Sequence, residues 1–392
     1  MKVLIVGAGI AGPTLGHWLH RAGHQVTIVE HAPALRRGGY LIDFWGAGFD
    51  VAERMDIVPA LRERGYVMTE ARAVDRRGRR IAGFDPESVI ESRARYVSIA
   101  RSDLAAVIYE AMSPDVEVIF GDSVRSLEDD GQRVHVMFDS GLRREFDLVF
   151  GADGLHSRVR RLVFGPDDQF ETSLGMVVAA FQAEGYPHRD ELVAMMYAEV
   201  GFQAVRLSLR DDITLFLLSV RHEGPLPSKR ADQERLLRTR LGDGGWEVPE
   251  MLHCMSAASD LYFDSVSQIR MPSWTTGRVA LVGDAAACPS FLAGQGSALA
   301  MVEAYVLGTE LAMDADHSAA FARFQDRLRS LLRSKQDAAK GLGLAFGPKN
   351  RFQLWERNAV MKVMGLPKVT DAVMGRSFRD AIVLPEFPEA GR

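Results

Sequence analysis

The stretch from Met1 to Glu30, MKVLIVGAGIAGPTLGHWLHRAGHQVTIVE, admits few folds. Lys2 to Val6 is a short, apolar, β-branched run, as expected of a parallel strand buried on both faces. It runs into Gly7-Ala8-Gly9-Ile10-Ala11-Gly12. In a G-x-G-x-x-G turn the first glycine allows the tight bend, the second lets a pyrophosphate approach the backbone, and the third lets the next helix pack against the strand. That helix is expected from about Pro13 to Ala22, with its free N–H groups facing the phosphates. Gly23 stops it, Gln25 to Val29 is a second buried strand, and Glu30 stands where a carboxylate meets ribose hydroxyls.

A glycine-rich turn in an ordinary α/β protein would also contain such a motif. Here strand, glycines, helix, second strand and acid fall in order within one βαβ unit, the context the motif requires. A signal peptide does not fit, because glycines interrupt the apolar run and no small-residue cleavage site follows. The unit specifies a dinucleotide without saying whether it is FAD or NAD(P).

The chain has 392 residues, enough for two domains or for one large domain with another inserted. Its net charge of −5 argues against a general nucleic-acid binder. Cys254 and Cys288 are the only cysteines, which excludes a disulfide framework and a cysteine-rich zinc site. No run reaches the roughly 18 apolar residues of a membrane helix. These features predict a soluble protein of a reducing cytoplasm, monomeric or homodimeric, with neither nucleic acid nor membrane as partner.

The pattern predicts an α/β chain: a Rossmann-like unit over 1–171 and 271–315, an inserted, mainly antiparallel sheet over 172–270, and a helical region over 316–392. Within the first unit, 31–45 reads as an irregular connection and 46–64 as helical. A hairpin is expected over 70–84, a strand over 96–100, and a helix from Arg101 with Ser102 as a plausible cap. Strands are expected at about 116–126, 133–139 and 144–150. Arg36 and Arg37, just past the second strand, are either phosphate contacts or surface charges. In the inserted sheet, apolar and polar residues alternate, interrupted by helical patterns near 230–241 and 246–255. Phe181, Tyr197, Phe202, Arg206 and Phe216, with Phe291 later in the chain, are candidate substrate contacts; the alternative is that the aromatics are simply core. His17, His20 and His24 have metal-like spacing, but no acid or cysteine joins them and no metal site is assigned. Cys288 reads as a packed thiol, and no G-x-S-x-G elbow supports a hydrolase.

Two further glycine-acid segments fall where an apolar strand meets a helix, the place where α/β sheets bind ligands. They are GADGLHSRVR at 151–160 and GDAAACPSFLAGQG at 283–296. Asp284 can accept hydrogen bonds from a polyol, and the Gly294-Gln295-Gly296 turn offers bare N–H groups at a helix N-terminus. Such a terminus suits a ring edge that gains negative charge on reduction. With these three segments the chain resembles the class A flavoprotein monooxygenases, the p-hydroxybenzoate hydroxylase-like family. Within it, RRGG at 36–39, DLYFDSVS at 260–267, SWTTGRVALVGDA and CPS at 288–290 are most similar to the tetracycline-inactivating flavin monooxygenases and their actinomycete-type relatives.

The resemblance implies FAD, held by Gly7, Gly9, Ile10, Ala11, Gly12, Glu30 and His31 at its ADP half. Arg37 and Arg101 match arginines that contact the cofactor backbone, and Asp153 is expected near FAD and a transiently bound NAD(P)H. Asp284 holds the ribityl chain and the backbone at Gly294, Gln295 and Gly296 faces the isoalloxazine, with Gly283, Pro289 and Ser297 as further cofactor-binding residues. The implied reaction reduces FAD with NAD(P)H, adds O2 at flavin C4a and passes one oxygen from the hydroperoxide to an aromatic or polyketide-like molecule, without a catalytic side chain. Ala287, Phe291 and Ala298 stand where the family often has His, Pro and Asn; the backbone donors remain. An FAD-containing cyclase or isomerase with a non-redox flavin is the alternative. A further one is a flavoprotein that only sequesters a metabolite.

Overall fold

The computed structural model describes residues 1–35, 40–86, 95–364 and 382–388. Strand β1 (Lys2–Val6) leads into helix α1 (Ala11–Arg21) and β2 (Gln25–Glu30). There follow β3 (Leu41–Trp45), α2 (Ala47–Arg54), α3 (Val58–Arg64), β4 (Glu70–Val74), β5 (Arg80–Phe84), β6 (Tyr96–Ala100) and α4 (Arg101–Glu110). Next come β7 (Glu117–Phe120), β8 (Val124–Asp129), β9 (Val134–Phe138), β10 (Arg143–Phe146), β11 (Leu148–Gly151) and α5 (Arg158–Val163). A second group is β12 (Glu171–Glu184), β13 (Val193–Glu199), β14 (Phe202–Ser208), β15 (Ile213–Arg221), α6 (Arg230–Leu241), α7 (Val248–Ala257) and β16 (Tyr262–Ile269). The chain continues through β17 (Thr275–Thr276), β18 (Val279–Leu281), α8 (Asp284–Ala287), α9 (Gly296–Met313), α10 (His317–Phe346) and α11 (Arg351–Val363).

The first sheet has six strands in the order β17-β18-β11-β1-β2-β7. β1 pairs in parallel with β2 on one side, Val3 opposite Val26, and with β11 on the other, Val3 opposite Leu148. The chain reverses direction across the sheet at β1, so the crevice past the carboxyl ends of β1 and β11 is a topological switch point. Val3, Leu4, Ile5, Leu148, Val149 and Phe150 are fully buried. Each such side chain contributes about 1.5–3 kcal/mol of burial. Helix α9 packs on α1 and α10, and one continuous core runs from the sheet to Phe324 and Leu328 of α10.

The second sheet has seven strands, β16-β12-β15-β14-β13-β4-β5. Its antiparallel body is the alternating stretch 172–270, but the 70–84 hairpin completes it, because β4 runs parallel to β13 with Glu70 opposite Val193. Helices α6 and α7 cover one face of this sheet. The other face turns toward the first sheet.

Several local expectations are corrected. Residues 46–64 form two helices, because Asp56 adopts a left-handed φ of 58° between them. The stretch 116–126 is two strands: β7 joins the parallel sheet and β8 joins a separate three-stranded sheet, β10-β9-β8, with Gly121 at φ 74° between them. Residues 144–150 divide likewise at Asp147 into β10 and β11. Part of 31–45 is a strand, β3, paired antiparallel with β6. Ala100, in extended conformation, precedes α4, which places Ser102 inside the first turn, not at the cap. Arg36 and Arg37, with Gly38 and Gly39, lie outside the described residues.

Residues 382–388 strap the outside of the first unit. Leu384 is buried in its core, Phe387 stacks near Trp18 at 4.9 Å, and Tyr305 Oη donates to Pro385 O at 2.7 Å. Arg54 Nη1 reaches the same carbonyl at 2.9 Å. The strap therefore ties α1, α2 and α9 together. Leu384→Ala is expected to cost about 2–5 kcal/mol by the usual penalty for truncating a buried leucine. Urea unfolding measures it, and an unchanged midpoint would show that the strap does not dock.

Candidate functional site

The three glycine-bearing loops end β1, β11 and β18, and small residues bring them together. A Cβ on Gly7 would stand 2.5 Å from Ala152 O, at the end of β11. A Cβ on Gly12 would stand 1.9 Å from Gly7 O, so α1 touches the strand-end turn directly. A Cβ on Gly283 would meet Ala11 Cβ at 3.1 Å and Ala300 Cβ at 3.4 Å, which sets the end of β18 against the starts of both α1 and α9. Gly9 differs from Gly7, Gly12 and Gly283. A Cβ there would meet nothing within 4 Å, so the middle of the turn opens onto free space. Ile10 and Ala11 complete that turn, and the first N–H groups of α1 lack intrahelical acceptors, as in any helix.

Glu30 is held at the end of β2. The N–H groups of Ala8 and Ala32 donate to its two carboxylate oxygens at 2.8 Å each. A carboxylate oxygen has further lone pairs, so both can still accept from a vicinal diol. His31 follows it on the exposed surface. Asp153 is turned inward: Ser157 Oγ at 2.5 Å, Arg158 N at 2.7 Å and Val159 N at 3.0 Å all donate to it. Burial raises its pKa against those donors. Its carboxylate therefore organises the start of α5, while its Cα lies 3.0 Å from the Cβ position of Gly7.

Asp284 opens α8 and is half-buried, and its Oδ1 lies 3.7 Å from where a Gly296 Cβ would be. The loop between them is shaped from both sides. Ser290 takes a φ of 96°, with its Oγ accepting from Leu292 N, and Gly294 is left-handed at 65°. From behind, Gln268 Nε2 donates to Pro289 O at 3.0 Å, and Ile269 N and Gln336 Nε2 donate to Cys288 O at 3.1 and 3.4 Å. Gly294 is exposed, Gln295 is buried, and Gly296 and Ser297 are partly open at the N-terminus of α9.

Arg101 is open to solvent yet close in charge terms to Tyr40, Asp284, Tyr262 and Cys288. It therefore lies at the boundary of the two sheets, among partly open side chains that we call the hollow. Tyr40 packs against Tyr262 at 5.1 Å and Phe291 at 5.2 Å, and Phe291 packs against Phe346 at 6.1 Å. Burial pushes both phenols up, so they stay protonated and able to donate. On β16, Asp264 receives His156 Nε2 at 3.0 Å, and this contact raises the histidine pKa. Burial pushes the Cys288 thiol well up, which keeps it unreactive.

The strand alternation decides which side chains line the hollow. Along β13, Val193, Met195 and Tyr197 are buried, while Ala194 and Met196 are partly open. Phe181, Tyr197, Phe202 and Phe216 share a core with Leu237, Val248 and Met251 of α6 and α7, on the sheet's far side. Their assignment as substrate contacts is corrected: two helices had to be seated on one face, and these aromatics seat them. Arg206 is on that face too, pairing with Asp190 at 2.7 Å and Glu247 at 3.1 Å beneath Trp246. Of the six candidates, Phe291 alone lies at the hollow. Tyr40, Met196, Tyr262, Asp264 and His156 were not singled out. The signal for Tyr262 and Asp264 was their spacing of two on one strand. His17 Nδ1 contacts Ala111 O, and His24 Nδ1 contacts the N-terminus. Among the described residues no group of three or more His, Cys, Asp or Glu could hold a metal, and no helix is long and apolar enough to cross a membrane.

The arrangement fits a long dinucleotide cofactor. An open backbone at Gly9 beside a held carboxylate suits an ADP half, and a second acid beside a helix N-terminus suits a polyol and a ring. The comparisons agree. The FAD binding domain family matches residues 1–325. A flavin-dependent monooxygenase from an unknown prokaryotic organism is 34% identical over 392 residues, covering 98% of this chain and 99% of its own. An uncharacterized Mycobacterium tuberculosis protein is 39% identical over 344 residues, covering 86% and 92%. The crystal structure of the tetracycline destructase Tet(51) superposes with a TM-score of 0.83 at 32% identity over 99% of both chains.

The glycines separate fold from binding. Gly9→Ala should leave the apoprotein within about 0.5 kcal/mol of wild type, yet weaken FAD binding at least about tenfold, since the methyl fills the open turn. Gly12→Ala should cost stability, about 1–3 kcal/mol or more, because its methyl overlaps Gly7 O. Flavin titration and urea unfolding read the two effects, and equal FAD affinity in Gly9→Ala would place the pyrophosphate elsewhere.

Proposed function

The chain belongs to the FAD binding domain family of flavoprotein monooxygenases, and on that premise we propose that it uses NAD(P)H and O2 to place one oxygen atom on an aromatic or polyketide-like small molecule. The observation that carries this reading is the hollow itself. It lies between the Asp284–Gly296 loop and the face of the seven-stranded sheet opposite α6 and α7, with Arg101, Tyr40, Tyr262 and Phe291 around it. Mostly apolar walls with a few polar groups suit a flat, hydroxylated ring system. A tetracycline-like polycycle is one candidate, because the Tet(51) likeness extends over the whole chain.

In this proposal Glu30 holds the adenosine ribose, Gly9 and the start of α1 face the pyrophosphate, and Arg101 neutralises charge on the cofactor backbone. Asp284 would accept from the ribityl hydroxyls, and the α9 N-terminus at Gly296 would hold the pyrimidine edge. FAD, when bound, would supply the redox and O2 chemistry. The protein's share is orientation and exclusion of water. Tyr40 and Tyr262, neutral at physiological pH, donate hydrogen bonds to substrate oxygens; Met196 and Phe291 supply contact area. No side chain acts as a nucleophile. The described sequence shows one dinucleotide unit, so NAD(P)H docks transiently and the right substrate accelerates flavin reduction.

With a substrate polycycle present, NAD(P)H oxidation should accelerate over the basal rate, and labelled O2 should place one labelled atom in the product. Without substrate, slow oxidation should yield hydrogen peroxide. Stopped-flow absorbance and product mass spectrometry read both. Turnover without NAD(P)H, giving a product free of oxygen from O2, would contradict the proposal and favour a cyclase or isomerase.

A further inference from the structure

Helix α9 is apolar along nearly its whole length but carries two fully buried acids, Glu303 and Glu310. Glu310 is neutralised by Arg323 at 2.6 Å and Arg327 at 2.5 Å, both from α10. Glu303 has no such cation among the described residues. Its Oε2 instead accepts the N–H of Gly283 at 2.8 Å, one residue before Asp284. Ala300, one turn earlier on α9, meets the same glycine. The turn that presents Asp284 therefore rests on α9 through one small-residue contact and one hydrogen bond.

The groups around Glu303 are accounted for. Its one titratable neighbour in charge terms is Asp284. On α1, His17 contacts Ala111; on α2, Arg54 contacts Tyr305 and Pro385. On β3, Asp43 accepts from Tyr96 and Ser98, and on α10, Arg323 and Arg327 face Glu310. A carboxyl in such a place has a weak reason to ionise. Burial first, and Asp284 second, push it up to about 8, against the Gly283 hydrogen bond.

We propose that Glu303 is a positioning residue for the cofactor: a buried carboxyl that fixes the Gly283–Asp284 turn from behind and leaves Asp284 the only carboxylate of that turn facing the ribityl hydroxyls. The inference rests on FAD lying at Asp284. Ionising Glu303 puts a second negative charge behind Asp284 with no cation to answer it. Bound FAD would displace water around Asp284 and strengthen that repulsion, so the holoprotein holds the Glu303 proton to higher pH than the apoprotein. By linkage, FAD affinity falls as pH rises above about 8. The sign for folding is related. The folded chain keeps a proton that the unfolded chain releases above its ordinary carboxyl pKa, so Glu303 lowers stability as pH climbs from about 4.5 to about 8.

The test is FAD titration of the full-length apoprotein from pH 6.5 to 9.5, for wild type, Glu303→Gln and Glu303→Leu, with urea unfolding across pH alongside. Wild-type Kd should be flat to about pH 8 and then rise toward about tenfold per pH unit, the limit for one linked proton. Glu303→Gln keeps the acceptor without the charge, so it should match wild type near neutrality, show a flat profile above pH 8 and gain stability over wild type between pH 5 and 8. Glu303→Leu strands the Gly283 N–H and should bind about tenfold more weakly than Glu303→Gln at every pH, with the same flat profile. A Glu303→Gln profile that bends as wild type does, or a Glu303→Leu variant with wild-type affinity, overturns the inference while leaving the cofactor reading intact. Wild type that binds no FAD at any pH overturns both.

Discussion

The structure depends on strand ends that approach closer than side chains allow. Gly7 against Ala152, Gly12 against Gly7, and Gly283 against Ala11 and Ala300 pull the ends of β1, β11 and β18 onto one another and onto two helix N-termini. The sheet produces this convergence because β18, β11, β1, β2 and β7 run parallel. The acids Glu30 and Asp284 then stand at fixed distances from an open backbone, and a molecule with a diol at one end and a polyol toward the other finds complementary groups.

The second sheet works by division of its faces. Helices α6 and α7 occupy one face with Phe181, Tyr197, Phe202 and Phe216 as their seat. The opposite face supplies Met196 and Tyr262 to the hollow, and the 289–296 loop closes it from the first unit. Chemistry at that boundary needs both units, and the hydrogen bonds from Gln268 and Gln336 to the loop's backbone show how the second sheet and α10 steady what the first sheet presents.

The cofactor half of this arrangement was legible because it is written in local sequence. Each glycine, and each acid at a strand end, carries a requirement that its own few neighbours state. The substrate half was not. Strand alternation assigns Phe181 and Met196 to opposite faces, but it does not say which face two helices 50 or so residues later will cover. Nor could alternation alone show that the 70–84 hairpin pairs with β13, since that contact spans more than a hundred residues of sequence. Asp147, which parts β10 from β11, broke an element that read as continuous because no glycine or proline marked it, whereas Pro59 in the first turn of α3 was the signal for the break at Asp56. Glu303 was invisible as a site residue because an acid in an apolar helix declares burial, not what it is buried against.

The central claim is that the three strand ends form one continuous FAD site facing the side of the second sheet opposite α6 and α7. A crystal structure of the FAD-loaded protein measures it most directly. The account predicts one FAD per chain, its adenosine ribose on Glu30, its pyrophosphate over Gly9, its ribityl chain on Asp284 and its ring between Gly294–Gly296 and the hollow of Tyr40 and Tyr262. A flavin ring lying against the α6 and α7 side of the sheet, or FAD bound without contact to Glu30 and Asp284, would contradict it.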